Sequence, residues 1–149
     1  MEDLLAIIEG AGVLVAFIAL VVGIFLDKRQ NNLSFYEQYT DRYVHIMEEL
    51  PEEFFLCKKL TDSKQKSKIN HYIRIYIDLC SEQYFLRKKK YVRRTVWKEW
   101  NEGISVMFKN QFVRDFWMQN EEYYKNEYGK FFEYINNDIL KLNDKKTKN

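Results

Sequence analysis

Two cysteines, Cys57 and Cys80, lie 23 positions apart and neither belongs to a CxxC pair. That spacing argues against a disulfide framework or a zinc site and fits reduced, partly buried thiols in the cytosol. No Walker loop, GxGxxG, GxSxG or HExxH occurs, so no sequence motif offers a phosphate cradle, a dinucleotide site, a serine nucleophile or a zinc-protease centre. The two histidines, His45 and His71, fall on different predicted helices without a metal-spaced partner. No segment alternates as a strand bounded by turn dipeptides, which points to an all-α chain. The expectation from these absences is a protein that is not an enzyme and has no metal, cofactor or catalytic residue.

Aromatic residues are abundant instead, at 17% with 11 Tyr and 11 Phe, far too many for a disordered chain. The formal net charge is only +2, but it is unevenly spread. Residues 1–57 carry 3 Lys/Arg against 10 Asp/Glu, residues 58–98 carry 13 against 3, and residues 99–138 carry 4 against 8. A basic middle therefore lies between two acidic segments.

The longest apolar run is Leu4–Leu26, 23 residues interrupted only by Glu9. As a helix it would be roughly 34 Å long, enough to cross a bilayer core of about 30 Å. The Met1-Glu2-Asp3 start is unlike a secretory signal peptide, so a retained transmembrane anchor is predicted. Lys28 and Arg29 follow the run and no cation precedes it, which places the N-terminus outside and the remainder in the cytoplasm. Gly12, Ala16, Ala19 and Gly23 recur at spacings of 4, 3 and 4, with Glu9 on the same stripe. Small residues let helix backbones approach closely in lipid, so the stripe is a candidate oligomerisation face.

Tyr36, Tyr39, Tyr43, Ile46 and Leu50 then mark a juxtamembrane helix, closed by Pro51, which opens a short one. Thr61-Asp62-Ser63 reads as a loop and N-cap before a helix of about 64–88, with Ile69, Ile73, Tyr76, Ile77, Cys80 and Tyr84 inward. A helix of about 93–109 follows, with Gly103 positioned for close packing. A short helix around Phe112–Trp117 and a last one capped by Asn120 complete the series. The predicted organisation is a transmembrane anchor (1–27), a juxtamembrane helix (28–50), a cytoplasmic helical bundle (51–142) and a basic tail (143–149).

Three polar or aromatic features are candidate sites. Glu48, Glu49, Glu52 and Glu53 could hold a divalent cation if they converged, but read more simply as solvated charges around Pro51. The tryptophans Trp97, Trp100 and Trp117 could line a pocket, but at helical spacing they read as core. Arg87, Lys88, Lys89, Lys90, Arg93 and Arg94 form the strongest charge cluster. It admits contact with anionic lipid headgroups, an acidic partner or nucleic acid, or a plain solvated turn; nucleic acid is the least favoured of the contacts.

The runs Tyr84–Tyr91, Trp97–Ile104 and Phe112–Trp117 give residues 65–135 a resemblance to small uncharacterised bacterial single-pass membrane proteins with a helical, Tyr/Trp-rich cytoplasmic domain. The resemblance carries over no functional residue. It implies a protein of the bacterial inner membrane, and some proteins of this build are suspected accessories of anti-phage defence. The expected function is a membrane-anchored, non-enzymatic interaction module that self-associates or docks a cytosolic partner, with membrane lipid as a further contact. The alternative is a defence effector that perturbs the inner membrane when triggered.

Overall fold

The computed structural model describes residues 2–60 and 62–141, and side chains from residue 18 onward except those of 25, 28, 32 and 61. Its elements are α1 (Glu2–Glu49), α2 (Glu52–Phe55), α3 (Ser63–Lys88), α4 (Arg94–Met107), α5 (Gln111–Gln119) and α6 (Glu121–Tyr134), followed by a π-helical turn at Ile135–Ile139. The described residues contain no strand, so the all-α expectation holds. The chain divides into two compact units, residues 1–37 and 38–149, and the small helical bundle is the second.

The membrane expectation is overturned. Among the described residues no helix is long and apolar enough to cross a membrane. Beyond Leu26, α1 continues through the exposed polar side chains of Asp27, Arg29, Gln30 and Asn31. The single-pass assignment, its inner-membrane location and its N-outside orientation fall together. The earlier part of the predicted anchor, including Glu9, Gly12 and Ala16, lies outside the residues whose side chains are described.

Within the bundle, each helix boundary has a local cause. Pro51 at φ −72° and ψ 160° cannot continue α1 and precedes α2, with Glu52 and Glu53 in the first turn of α2. The Asp62 carboxylate caps α3 by accepting from the Lys64 N–H at 3.0 Å. At the other end of α3, Tyr91 N–H reaches Leu86 C=O and Lys90 N–H reaches Arg87 C=O, each at 3.0 Å. Lys90 sits at φ 62°, completing a Schellman stop with lysine in the place that glycine usually takes. The same stop closes α2, where Cys57 occupies φ 49°.

Helix α3 is the centre of the bundle. Ile69, Ile73, Tyr76, Ile77, Leu79 and Cys80 are all buried, and at 3.6 residues per turn they fall on one face of the helix, an arc of about 160°. It packs against α4, α5 and α6. A second core cluster forms where α5 meets α6. Trp117 is 1% exposed and stacks on Tyr124 at 4.7 Å and on Phe132 at 5.6 Å, while Phe108 meets it edge-on at 5.3 Å. The indole Nε1–H donates to Asn136 Oδ1 at 2.9 Å, so the buried ring keeps its polar atom satisfied.

Candidate functional site

A groove of about 740 Å³ runs beside the C-terminal half of α3. Tyr39 of α1 and Tyr128, Lys130 and Phe131 of α6 contribute to its walls, and Phe85 and Lys88 of α3 line it together with Lys89, the residue that caps α3. The helical period explains the arrangement. Glu82 points to α1 through its bond from Tyr39, and Tyr84 points to α6 through its ring contact with Phe131 at 5.7 Å. At 3.6 residues per turn, Ser81, Phe85, Lys88 and Lys89 occupy the face of α3 between these two directions. Among the described residues no helix covers that face at Phe85, which is 55% exposed.

Both walls are tied to α3 by polar contacts. Arg42 donates Nη1 to Glu82 Oε2 at 2.6 Å and Nη2 to Glu82 Oε1 at 3.1 Å, a two-pronged pairing. Tyr39 Oη–H donates to the same carboxylate at 2.9 Å, and the Arg42 guanidinium lies 5.2 Å from the Tyr39 ring. The hydrogen bonds from Arg42 hold the Glu82 carboxyl below its usual range. Burial, helped by the Glu82 charge, pushes the Tyr39 phenol up to about 12. On the other wall, Tyr128 Oη–H donates to Asp78 Oδ1. Burial first, and then this bond, raises the Tyr128 phenol above its ordinary value.

Residues of the predicted basic cluster share the C-terminal end of α3 and the turn after it. Lys88, Lys89, Lys90, Arg93 and Arg94 are exposed and Arg87 is half-buried. Two of them fold back on aromatic rings: Lys88 Nζ lies 5.2 Å from the Tyr84 ring, and Lys89 Nζ 5.5 Å from that of Phe85. Lys88 and Lys89 therefore belong to the groove rim, a placement that depends on α1 and α6.

The other candidates are placed differently. In the small-residue stripe, Ala19 is exposed and a Cβ on Gly23 would meet nothing within 4 Å. Gly103 likewise has open space around it, so the expected close helix approach there is absent. Glu49 pairs with Lys68 at 3.0 Å, and among the described residues no group of three or more His, Cys, Asp or Glu is placed to hold a metal. His45 and His71 are both exposed. Trp117 is core; Trp97 and Trp100 are half-buried and pack on Tyr134 at 6.0 Å and Tyr39 at 5.2 Å. Cys80 is buried, which pushes its thiol up to about 12 and leaves it a poor nucleophile.

Sequence reasoning missed two features. Gly129, between the lining residues Tyr128 and Lys130, has φ 23° and ψ −90° and breaks α6 within the groove wall. Its one available signal was a glycine inside a helical pattern. Asn110, rather than Asn120, makes a side-chain cap: its Oδ1 accepts from Phe112 N–H at 2.9 Å and its Nδ2 donates to the Phe54 carbonyl at 2.9 Å. The Asn120 amide instead donates back to the Phe116 carbonyl at 2.8 Å.

No family model matches the chain, and no curated protein or solved structure matches it.

Proposed function

We propose that the chain is a non-enzymatic interaction module and that the groove between α1 and α6, over α3, is its docking surface. The observation that carries this reading is Phe85: a large apolar side chain, more than half exposed, set in an aromatic groove with lysines on its rim. Exposed aromatic residues bordered by charges are the composition of protein-binding surfaces. The half-buried rings of Tyr84 and Tyr128 add apolar area that a bound partner would remove from water. The effector alternative needs a membrane span that the described residues do not supply.

The test is site-specific photocrosslinking of the full chain in its native cells. A crosslinker at position 85 should yield one discrete protein adduct, and its mass identifies either a second copy or another protein. The same probe at Met118, an exposed residue on α5, is the control. No adduct from position 85, or equal adducts from both positions, removes the groove as a docking surface.

A further inference from the structure

We infer that the occupant of this groove is an acidic amphipathic helix of a protein partner. The inference rests on the reading of the groove as the docking surface of an interaction module and names the chemistry of what docks there.

The shape of the groove favours a helix. Ser81 of α3 to its cap Lys89 spans about 12 Å, roughly two turns, with residues of α1 on one side and of α6 on the other. Packed helices lie about 8–10 Å apart, so an added helix would occupy the place that a further member of the bundle would take. It would meet α3 along a stripe spaced i, i+3, i+4, i+7 and cover Phe85.

The charges favour carboxylates. The rim carries Lys88, Lys89 and Lys130 against Glu82 and Glu127. Arg42 already satisfies Glu82 through both carboxylate oxygens. Three cations therefore face a single uncommitted acid. Lys88 and Lys89 lie over the faces of Tyr84 and Phe85, and a carboxylate beside the seated helix would bond the ammonium groups while its apolar side covered the rings. A basic helix would meet like charge at three points. The groove is also concave and its aromatic rings line its floor and walls, which suits a rod with one apolar stripe better than a flat anionic surface.

The probe is a synthetic 16-residue peptide with Leu at the i, i+3, i+4, i+7 positions and Glu elsewhere, titrated into the full chain by calorimetry. Controls are the Lys-for-Glu version and a scrambled Glu/Leu sequence. The expected result is saturable 1:1 binding of the acidic helix, at least tenfold weaker binding of both controls, and at least tenfold weakening by K88E/K89E. F85S should weaken it similarly, while M118S should not. All four positions are exposed, and circular dichroism checks that each variant keeps its helices. The inference is overturned if the acidic helix does not bind, if the scrambled peptide binds equally, or if K88E/K89E leaves affinity unchanged. It is also overturned if anionic vesicles or single-stranded DNA bind through Lys88 and Lys89 while the peptide does not. A protein crosslinked at position 85 together with no peptide binding would leave the docking reading in place and sink the acidic helix alone.

Discussion

Arg42 and Glu82 pair across α1 and α3 with both nitrogens on both oxygens, at 2.6 and 3.1 Å. The two side chains are 37% and 46% exposed, so solvent screens the pair and its worth is about 0.5–1 kcal/mol rather than that of a buried one. Arg42→Ala should lower stability by about that amount in urea denaturation, and the loss should shrink in about 1 M salt, where the Debye length is about 3 Å. Because Glu82 titrates below the ordinary 4.5, the pair stabilises the fold above that pH and loses its contribution as pH falls through the lowered value. Wild-type stability should therefore drop more steeply below about pH 4.5 than that of Arg42→Ala. Parallel curves would show the pair to be energetically silent.

Tyr39 gives the opposite sign on the alkaline side. Its phenol titrates near 12 in the folded state against 10.0 for the unperturbed group. A raised pKa stabilises fully below 10.0 and the contribution fades as pH rises toward 12. Tyr39→Phe should flatten the fall of stability between these pH values. Absorbance of tyrosinate near 295 nm should likewise show a late-titrating component that the variant lacks.

The Trp117 cluster should be the most sensitive part of the bundle. Trp117→Ala removes a ring that is 1% exposed and should cost about 3–5 kcal/mol. Asn136→Leu leaves the indole N–H without its acceptor, which costs about 1–3 kcal/mol. Thermal denaturation of both variants checks the order. An Asn136→Leu protein as stable as the parent would mean that the 2.9 Å bond adds nothing net.

How much of this was legible follows from where each signal resides. The α3 stripe was readable because Ile69, Ile73, Tyr76, Ile77 and Cys80 repeat at helical spacing and are buried as that spacing requires. The α1 stripe was readable only in part: Tyr39, Ile46 and Leu50 are buried, whereas Tyr36 and Tyr43 stay exposed. Periodicity fixes a helix face, but how wide a strip of that face is covered depends on the neighbours. The basic cluster was visible as a run of letters. That Lys88 and Lys89 share a groove with Tyr128 and Lys130 was not visible, since about 40 residues of chain separate them. Hydropathy over Leu4–Leu26 pointed to a span that the described part of the structure does not provide.

The thiols should separate by burial. Cys57 is exposed and Cys80 is buried with its thiol raised to about 12. In native protein at neutral pH, Ellman's reagent should titrate one thiol quickly, and the second only in denaturant. Cys57→Ser should abolish the fast phase. Two fast thiols in the native protein would contradict the packing of α3.

Two backbone positions predict changes of opposite sign. Lys90 holds φ 62° at the end of α3, where an L side chain costs about 1–2 kcal/mol relative to a right-handed helical conformation. Lys90→Gly relieves that cost, and the greater freedom of glycine in the unfolded chain takes back about 0.4–1 kcal/mol, so a small net gain in stability is expected. Gly129 holds φ 23° in α6, and a Cβ there would meet nothing within 4 Å. Gly129→Ala therefore encounters no steric wall, and its cost is that of a backbone conformation outside the regions open to L side chains, about 1–3 kcal/mol. If α6 relieves the cost by straightening, Tyr128 must move relative to Asp78, and the alkaline titration of its phenol should shift down toward the ordinary value. Urea midpoints read the two stabilities and tyrosinate absorbance reads the movement. A Gly129→Ala variant as stable as the parent, with unchanged tyrosine titration, would show that the break in α6 does not hold the groove wall.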